Sequence, residues 1–158
     1  MSNSELVSLR SATPDDEGFL LKLFGSTRID EFKFLADANQ IDALIGMQFN
    51  LQRRQYEAGY PDAEHNIILR DGQPVGRIFV DEGEREIALV DVALVPEFRN
   101  KGIGRYLLDL LLARAAAVKK PVRLHVSKLN PARRLYERLG FSVVSEDGMY
   151  FEMVCKID

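Results

Sequence analysis

The chain has 158 residues, 46% of them hydrophobic and 28% charged, which is typical of one soluble globular domain and excludes a disordered chain. The formal net charge of -3 argues against nucleic acid as a partner, because binding to phosphate backbones requires a basic face. No apolar stretch approaches the ~18 residues of a membrane span, and the single cysteine, Cys155, excludes an internal disulfide. We therefore expect a cytoplasmic protein with one domain over residues 1–158 and no membrane partner.

The N-terminal third of the chain predicts one strand and two helices. Residues 6–10, LVSLR, are typical of a short strand. Thr13 and Pro14 supply a cap and a first-turn residue for a helix. A second helix is predicted from about Gln40 to Ala58, where apolar residues recur at spacings near 3.6. The apolar faces consist of Phe19, Leu20, Leu23 and Phe24 in the first helix, and of Ile41, Leu44, Ile45, Phe49 and Leu51 or Gln52 in the second.

The rest of the chain predicts a three-stranded meander, two more helices, a strand between them and a closing hairpin. The strand between the helices pairs in parallel with the last meander strand, because the chain crosses over between them through a helix. The domain is therefore α+β, or mixed α/β. The predicted ranges are 66–95 for the meander, 102–118 for the third helix, 122–126 for the strand, 130–139 for the fourth helix and 141–155 for the hairpin.

Residues 99–105, RNKGIGR, form a basic turn with two glycines between a strand and a helix. This turn predicts an anion site, because a helix start has unpaired N–H groups and the positive end of the helix dipole. Three cations, Arg99, Lys101 and Arg105, add positive charge there. Glycine lets a phosphate approach the backbone closely. A dinucleotide-binding turn is excluded because Leu107 replaces the third glycine, and a P-loop is excluded because Gly-Lys-Ser/Thr is absent. An ordinary helix-start turn is the alternative.

Two blocks of the sequence resemble the GNAT N-acetyltransferase superfamily. Residues 99–104, RNKGIG, resemble its R/Q-x-x-G-x-G/A signature and follow LVPEF, as is usual in the family. Residues 130–141, NPARRLYERLGF, resemble its Asn…Leu-Tyr-Glu-x-x-Gly-Phe block. The order and spacing of the predicted elements also match, so the resemblance covers nearly the whole chain. One departure is the spacing from Asn130 to Tyr136, which is one residue shorter than in many members.

The resemblance implies a mostly antiparallel sheet flanked by helices, in which two parallel strands splay apart around acetyl-CoA, with no metal. The pyrophosphate would lie on the N–H groups of residues 100–105, and the pantetheine arm would pair with residues 92–94 like an added strand. An N–H group near Leu94 would polarise the thioester carbonyl. The coenzyme contacts implied are Val92, Ala93, Leu94, Arg99, Asn100, Lys101, Gly102, Ile103, Gly104, Arg105, Asn130 and Arg133.

The resemblance also implies that Tyr136 is the acid that protonates the departing thiolate. The residues themselves leave a second interpretation open. Tyr136 shares an apolar helical stripe with Ala132, Leu135 and Leu139, at spacings i, i+3, i+4 and i+7, so the side chain could simply pack in the core.

A base is needed as well, because an alkyl ammonium with a pKa near 10.4 is deprotonated in only about one molecule per thousand at neutral pH. His125 lies where some relatives carry a glutamate base, and an imidazole ordinarily titrates near neutral pH. Strand alternation predicts that His125 shares a face with Arg123 and Ser127, opposite Leu124. Asp91 on the neighbouring strand is the second possible base, and a chain of waters is the third.

The resemblance places the amine acceptor among the first two helices and the closing hairpin. Gln48, Gln52 and Tyr56 recur every four residues and share one helix face, which suits an amine or an amide-bearing acceptor. A solvated helix face is the alternative. Tyr150 in the hairpin is also expected to reach this pocket, and His65 is interpreted as a turn residue.

The predicted function is transfer of an acetyl group from acetyl-CoA to a primary amine by direct attack. The acceptor is a small molecule or an amine of a peptide or protein, and the resemblance allows a homodimer. Two alternatives stay open. One is a non-catalytic acyl-CoA-binding module that acts as a sensor or partner subunit, and the other is a phosphate-binding protein that shares only the turn.

Overall fold

Seven strands and five α-helices make up the computed structural model of the protein in the part that it describes, residues 2–32 and 37–157. The strands span Val7–Ser11 (β1), Glu64–Arg70 (β2), Gln73–Glu82 (β3), Ile87–Leu94 (β4), Val122–Ser127 (β5), Ser142–Glu146 (β6) and Tyr150–Cys155 (β7). The helices span Asn3–Leu6 (α1), Glu17–Phe32 (α2), Ala38–Gly59 (α3), Ile103–Val118 (α4) and Arg133–Arg138 (α5).

The strands form one mixed sheet in the order β1-β2-β3-β4-β5-β7-β6. Neighbouring strands pair antiparallel except β4 and β5, which pair in parallel. The parallel pair arises because α4 carries the chain back across the sheet between these strands. The predicted α+β fold, with a mostly antiparallel sheet and one parallel pair, is therefore confirmed.

The two faces of the sheet are covered differently. On the face that we call the α4 face, residues such as Leu124 and Met153 pack with α4 in one hydrophobic cluster. On the opposite face, the α3 face, α2 and α3 cover β1 to β3 through a second cluster. The β5 side chain of His125 is 57% exposed on the α3 face, so the helices leave that part of the sheet open to solvent. The members of the second cluster are Leu20, Phe24, Ile45, Phe49 and Ile67.

A β-bulge in β4 positions the polar groups of the sheet. The bulged residue is Val90, because its neighbours Leu89 and Asp91 pair with adjacent residues of β3. An extra residue reverses the alternation of the side chains that follow it. Leu89 therefore packs on the α4 face, whereas Asp91, two residues later, contacts Arg77 on the α3 face.

Three local features differ from the sequence prediction. A short helix, α1, precedes β1. Helix α5 begins at Arg133 and not at residue 130, because the Asn130 side chain accepts a hydrogen bond from the Ala132 N–H at 2.9 Å and holds a turn before the helix. His65 is a strand residue of β2 and not a turn residue. Its C=O accepts a hydrogen bond from the Ala12 N–H at 2.9 Å, which continues the pairing of β1 with β2.

Asp16 fixes the chain at the start of α2. Its buried carboxylate accepts hydrogen bonds from Arg10 Nη2 at 2.8 Å, from Arg10 Nη1 at 2.9 Å and from the Thr13 N–H at 2.8 Å. The hydrogen bonds from Arg10, and then that from Thr13, lower the pKa of Asp16 to about 2. The ionised carboxylate therefore ties β1 to the first turn before α2 at neutral pH.

We expect Asp16→Asn to lower the free energy of unfolding by about 2 kcal/mol at neutral pH, because charge-assisted hydrogen bonds are lost. The folded-state pKa of about 2 lies below the ordinary value of 3.8, so this stabilisation is complete above the ordinary value and disappears as the pH falls through about 2. Urea unfolding of both proteins along a pH series should show the two stabilities converging in acid. A difference that does not change with pH would contradict the assignment, and the exposed neighbour Asp15, changed to Asn, is the control.

Candidate active site at the β4–β5 cleft

The candidate site is a cleft between the two parallel strands. The ladder between β4 and β5 contains only the pairs Ile87–Val122, Ala88–Arg123 and Leu89–Leu124. Both strands continue further, β4 to Leu94 and β5 to Ser127. The strands therefore diverge just where Val90 forms the bulge, and each leaves an unpaired edge beyond it.

The edge of β4 that faces the cleft presents backbone donors. The Val95 N–H donates to a β3 carbonyl at 2.8 Å. Because successive N–H groups of a strand point to opposite edges, those of Leu94 and Val92 face the cleft, and that of Ala93 faces β3. The close approach of β3 requires glycine at residue 76, where a Cβ atom would lie 2.2 Å from the Ala93 carbonyl oxygen.

The turn of residues 99–105 follows the end of β4 and starts α4. Asn100 and Gly102 adopt left-handed φ angles of 60° and 82°. The first backbone hydrogen bond of the helix runs from the Tyr106 N–H to the Gly102 C=O at 3.0 Å. The N–H groups of residues 103–105 thus have no acceptor within the helix, and they lie at its positive dipole end. The turn can therefore hold an anion such as a phosphate group.

The three cationic side chains of this turn are exposed and make weak contacts. Arg99 Nε donates to the Leu94 C=O at 3.0 Å. Lys101 Nζ lies 5.4 Å from the centre of the Phe98 ring, and Arg105 forms an exposed ion pair within α4. Such contacts contribute little to stability, so these cations can turn towards a bound anion.

Tyr136 on α5 packs in the cluster of the α4 face and is 7% exposed. Its ring contacts the edge of Phe141, with 5.7 Å between the ring centroids. Burial, and after it the negative charge of Asp91, raises the pKa of Tyr136 to about 12. The phenol is therefore protonated at neutral pH and can donate a proton. Tyr136 shares its cluster with Leu89 of β4, and Val92 of the same strand packs against that cluster, so the tyrosine lies near β4.

His125 belongs to a chain of charged groups on the open part of the α3 face. Its Nε2 atom lies 3.2 Å from Oε2 of Glu152 on β7. Glu152 also forms an ion pair with Arg123, whose Nε donates to Glu86 at 3.0 Å. The carboxylate of Glu152 can orient the imidazole through its contact with Nε2.

Glu152 is a residue that the sequence interpretation missed. Its neighbours Phe151 and Met153 are buried, and their alternation with Glu152 already predicts that the glutamate faces away from the core. Only the register of β5 with β7, in which His125 pairs with Glu152, brings the two side chains together. That register is long-range information, which the alternation does not contain.

Asp91 takes part in a polar network beneath α3. Its Oδ2 atom accepts a hydrogen bond from Arg77 Nε at 2.8 Å, and Arg77 Nη2 donates to Gln52 Oε1 at 2.7 Å. Arg77, a second residue missed from sequence, is 7% exposed, so Asp91 compensates a buried charge. Gln52 faces the sheet, and the alternative of a solvated helix face is therefore wrong for this residue.

A cavity of about 520 Å³ lies on the α3 face beside His125, and we call it the cleft cavity. The end of α3 contributes Tyr56 and Tyr60, and the turn between β3 and β4 contributes Glu84. Tyr56 is half-buried and its ring lies 5.2 Å from that of Phe79 on β3, so Tyr56 is part of a wall and not of a solvated face. The same burial raises its pKa above the usual range. Gln48 is half-buried and does not line this cavity.

The remaining predicted residues lie around α5 and β7. Tyr150 is exposed and pairs with Ser127, at the end of β5 where the cleft is open. The Arg133 guanidinium lies 4.1 Å from the centre of the Phe151 ring. Asn130 caps the turn before α5 through Oδ1. Contacts of Asn130, Arg133 and Tyr150 with any ligand stay predictions.

Within residues 2–28 and 37–157, the His, Cys, Asp and Glu side chains form no group of three or more that could hold a metal ion. None of the helices in that part of the chain has the length and apolar character needed to cross a bilayer. Cys155 is a buried free thiol in β7, and burial raises its pKa.

Comparisons with known proteins agree with this geometry. The sequence model of the acetyltransferase (GNAT) family matches residues 30–141. The mycothiol acetyltransferase of Propionibacterium freudenreichii is 37% identical over 87 residues, which are 53% of this chain and 24% of that protein. The chain thus spans about a quarter of the length of this relative.

Solved structures with low sequence identity share the fold. The PaiA N-acetyltransferase from Thermoplasma acidophilum, in complex with coenzyme A, has a TM-score of 0.72 at 21% identity, with 99% of each chain covered. A histone acetyltransferase HPA2-related acetyltransferase from Corynebacterium glutamicum has a TM-score of 0.68 at 20% identity, with 97% of each chain covered. The similarity extends over almost the whole length of all three chains.

We expect Asp91→Asn to lower the free energy of unfolding by about 2–3 kcal/mol, because Arg77 would keep a buried charge without a counterion. Chemical denaturation would measure this loss. Asp42→Asn, an exposed change on the outer side of α3, is the matched control and should have no effect. Equal stability of Asp91→Asn and the unmodified protein would mean that the carboxylate does not support Arg77.

Proposed function

Because the chain belongs to the GNAT acetyltransferase family, we propose that it transfers an acetyl group from acetyl-CoA to a primary amine. The family predicted from the two sequence blocks is confirmed by the match over residues 30–141. One observation carries the proposal. The cleft that opens beyond Val90 leads to the unpaired N–H groups at the start of α4. Coenzyme A needs this combination of a strand edge for its amide groups and a helix N-terminus for its pyrophosphate.

In the proposed complex the pyrophosphate binds the N–H groups of Ile103, Gly104 and Arg105. The pantetheine arm runs along the free edge of β4 and pairs with residues 92–94 like an added strand. The Leu94 N–H, which points into the cleft, polarises the thioester carbonyl and stabilises the oxyanion that develops on it. The exposed cations Arg99 and Lys101 add charge-assisted contacts to the phosphates.

The proposed reaction is a direct attack. The amine nitrogen forms a bond to the thioester carbonyl carbon, the C–S bond breaks, and the sulfur leaves as a thiolate. Tyr136 donates a proton to this thiolate, and the second proton that the nitrogen loses as the amide forms restores the Tyr136 phenol, directly or through water. The raised pKa of about 12 keeps the phenol in the required protonated form before the reaction. Its packing against Phe141 and its proposed acid role are compatible, because packing fixes the direction of the hydroxyl.

His125 is the base that we propose for the amine proton. It borders the cleft cavity and is oriented by Glu152 at 3.2 Å. The second possible base, Asp91, already accepts a hydrogen bond from the buried Arg77 at 2.8 Å, so its Oδ2 atom is occupied by a structural contact. The proton passes from the ammonium group to the imidazole before or during the attack, directly or through one water.

The acceptor amine is proposed to enter from the cleft cavity, opposite the coenzyme. Aromatic walls formed by Tyr56 and Tyr60 suit an alkyl ammonium group. Gln48, Gln52 and Tyr150 stay less direct candidates for acceptor contacts, since none of them combines exposure with a position in this wall. A small amine and the amine of a peptide or protein both fit the opening, and a homodimer is compatible with it.

The alternative function is an acyl-CoA-binding module without turnover. Two residues together argue against this alternative. Tyr136 near β4 is protonated, and His125 on β5 is oriented by the carboxylate of Glu152. A binding module does not need groups that handle protons. Thiol release in the presence of amines distinguishes the two functions.

Gly104→Asp should weaken coenzyme A binding about a hundredfold, because a carboxylate would stand among the N–H groups that hold the pyrophosphate. Gly104→Ala is the matched control and should bind normally. A Cβ atom at residue 104 meets nothing within 4 Å, so both variants should fold. Gly102 is unsuitable for this test because its φ of 82° disfavours any side chain. Isothermal titration calorimetry would measure the affinities, and normal binding to Gly104→Asp would refute the pyrophosphate position.

Tyr136→Phe should lower kcat at least about a hundredfold with little change in the KM for acetyl-CoA, because only proton donation is removed. The assay is thiol release from acetyl-CoA with a panel of primary amines that includes peptides. The thermal midpoint should stay unchanged, since the variant keeps the ring against Phe141. Unchanged turnover would leave Tyr136 a packing residue only. If the unmodified protein binds acetyl-CoA but releases no thiol with any amine of the panel, the binding module would be favoured.

A further inference from the structure

A second cavity, of about 330 Å³, lies between α2, α3 and the sheet, and we call it the interhelix cavity. It is lined by residues from the start of α2, from the second half of α3 and from β2 and β3. Tyr56 is the residue that it shares with the cleft cavity. Its volume lies at the lower end of the range of small-molecule sites, about 300–1,000 Å³. The acetyl transfer proposed above does not use this cavity.

Aromatic rings form one wall of the interhelix cavity. The rings of His65 and Phe79 lie 4.9 Å apart, and those of Tyr56 and Phe79 lie 5.2 Å apart. Phe49 and Leu20 extend this surface on the helices. Such a lining favours a flat, apolar group over an extended polar chain, because offset ring contacts stabilise aromatic pairs.

One buried polar group of this lining has no hydrogen-bond partner. His65 Nε2 is fully buried and has no partner among the described residues. Arg77, by contrast, already donates to Asp91 and Gln52 through Nε and Nη2. Buried polar atoms are normally paired, so His65 Nε2 calls for a ligand atom or a water.

The buried charge beside the cavity is paired, and the further lining carboxylate, Glu57, is exposed to solvent. Arg77 is compensated by Asp91, and at the rim Arg53 Nη1 lies 3.0 Å from Glu17 Oε1 across the two helices. Burial, and then the charge of Arg77, lowers the pKa of His65 to about 4, so the imidazole is neutral at physiological pH. With no uncompensated charge inside the cavity, an ion would be desolvated without a counterion there.

We propose that the interhelix cavity binds an uncharged aromatic molecule that carries one carbonyl or hydroxyl oxygen. The ring lies against Phe79 and Tyr56, and the oxygen faces His65 Nε2. The ligand satisfies the buried group that the protein leaves unpaired. The site is distinct from the cleft that is proposed to hold the coenzyme.

Benzamide is the probe for this proposal, because it combines one ring with one neutral carbonyl group. Benzoate and benzylamine are the charged comparisons of nearly the same size. We expect titration calorimetry on the full chain, without acetyl-CoA, to detect benzamide binding, with both ions at least about tenfold weaker. Binding of benzoate or benzylamine as tight as benzamide would overturn the proposed ligand class. Absence of benzamide binding up to its solubility limit would overturn the site.

Two variants locate the bound probe. His65→Phe keeps a ring against Phe79 but removes Nε2, and it should weaken benzamide binding about tenfold. Ala12→Leu should abolish binding by filling the cavity that Ala12 lines. Met47→Ala, an exposed change on α3 outside the lining, is the control and should bind normally. Full affinity in folded Ala12→Leu would place the ligand elsewhere. Since no step uses acetyl-CoA, failure here leaves the proposed acetyl transfer untouched.

Discussion

The loss of pairing between β4 and β5 is the constraint on which the rest of the site depends. The ladder stops after Leu89 and Leu124, where Val90 is the extra residue of a bulge. A bulge bends its strand and increases the local twist, so β4 turns away from its neighbour. The unpaired backbone edge that results would be unfavourable in a closed sheet, but it can pair with a ligand that carries amide groups. The opening of the sheet and the proposed coenzyme site therefore have the same cause.

The bulge also divides the proposed chemistry between the two faces of the sheet. By reversing side-chain alternation it turns Asp91 to the α3 face, where the carboxylate supports the buried Arg77. Tyr136 stays on the α4 face, packed against Phe141. His125 follows Leu124, the last β5 residue that pairs with β4. Its side chain lies on the open part of the α3 face and contacts Glu152. The proposed acid and base thus reach the divergence of the strands from opposite sides.

The fold and the turn that starts α4 could be predicted because their signals are local. Glycine and cation spacing in residues 99–105 identifies the turn, and strand alternation assigns His125 to the correct face. The bulge could not be predicted, because strict alternation places Asp91 with the core residues of β4. Glu152 was missed since its partner depends on the register of two strands that are distant in sequence. His65 was misjudged because a loop-like sequence before it does not reveal that β2 already begins at Glu64.

The most direct test of the account is the position of coenzyme A. Two-dimensional amide NMR of the ¹⁵N-labelled protein, titrated with coenzyme A, measures which backbone N–H groups change on binding. We expect the largest changes at residues 103–105, where the helix N–H groups would meet the pyrophosphate, and at Val92 and Leu94 on the free edge of β4. Changes confined to the α3 face, with the start of α4 and the edge of β4 unaffected, would contradict it.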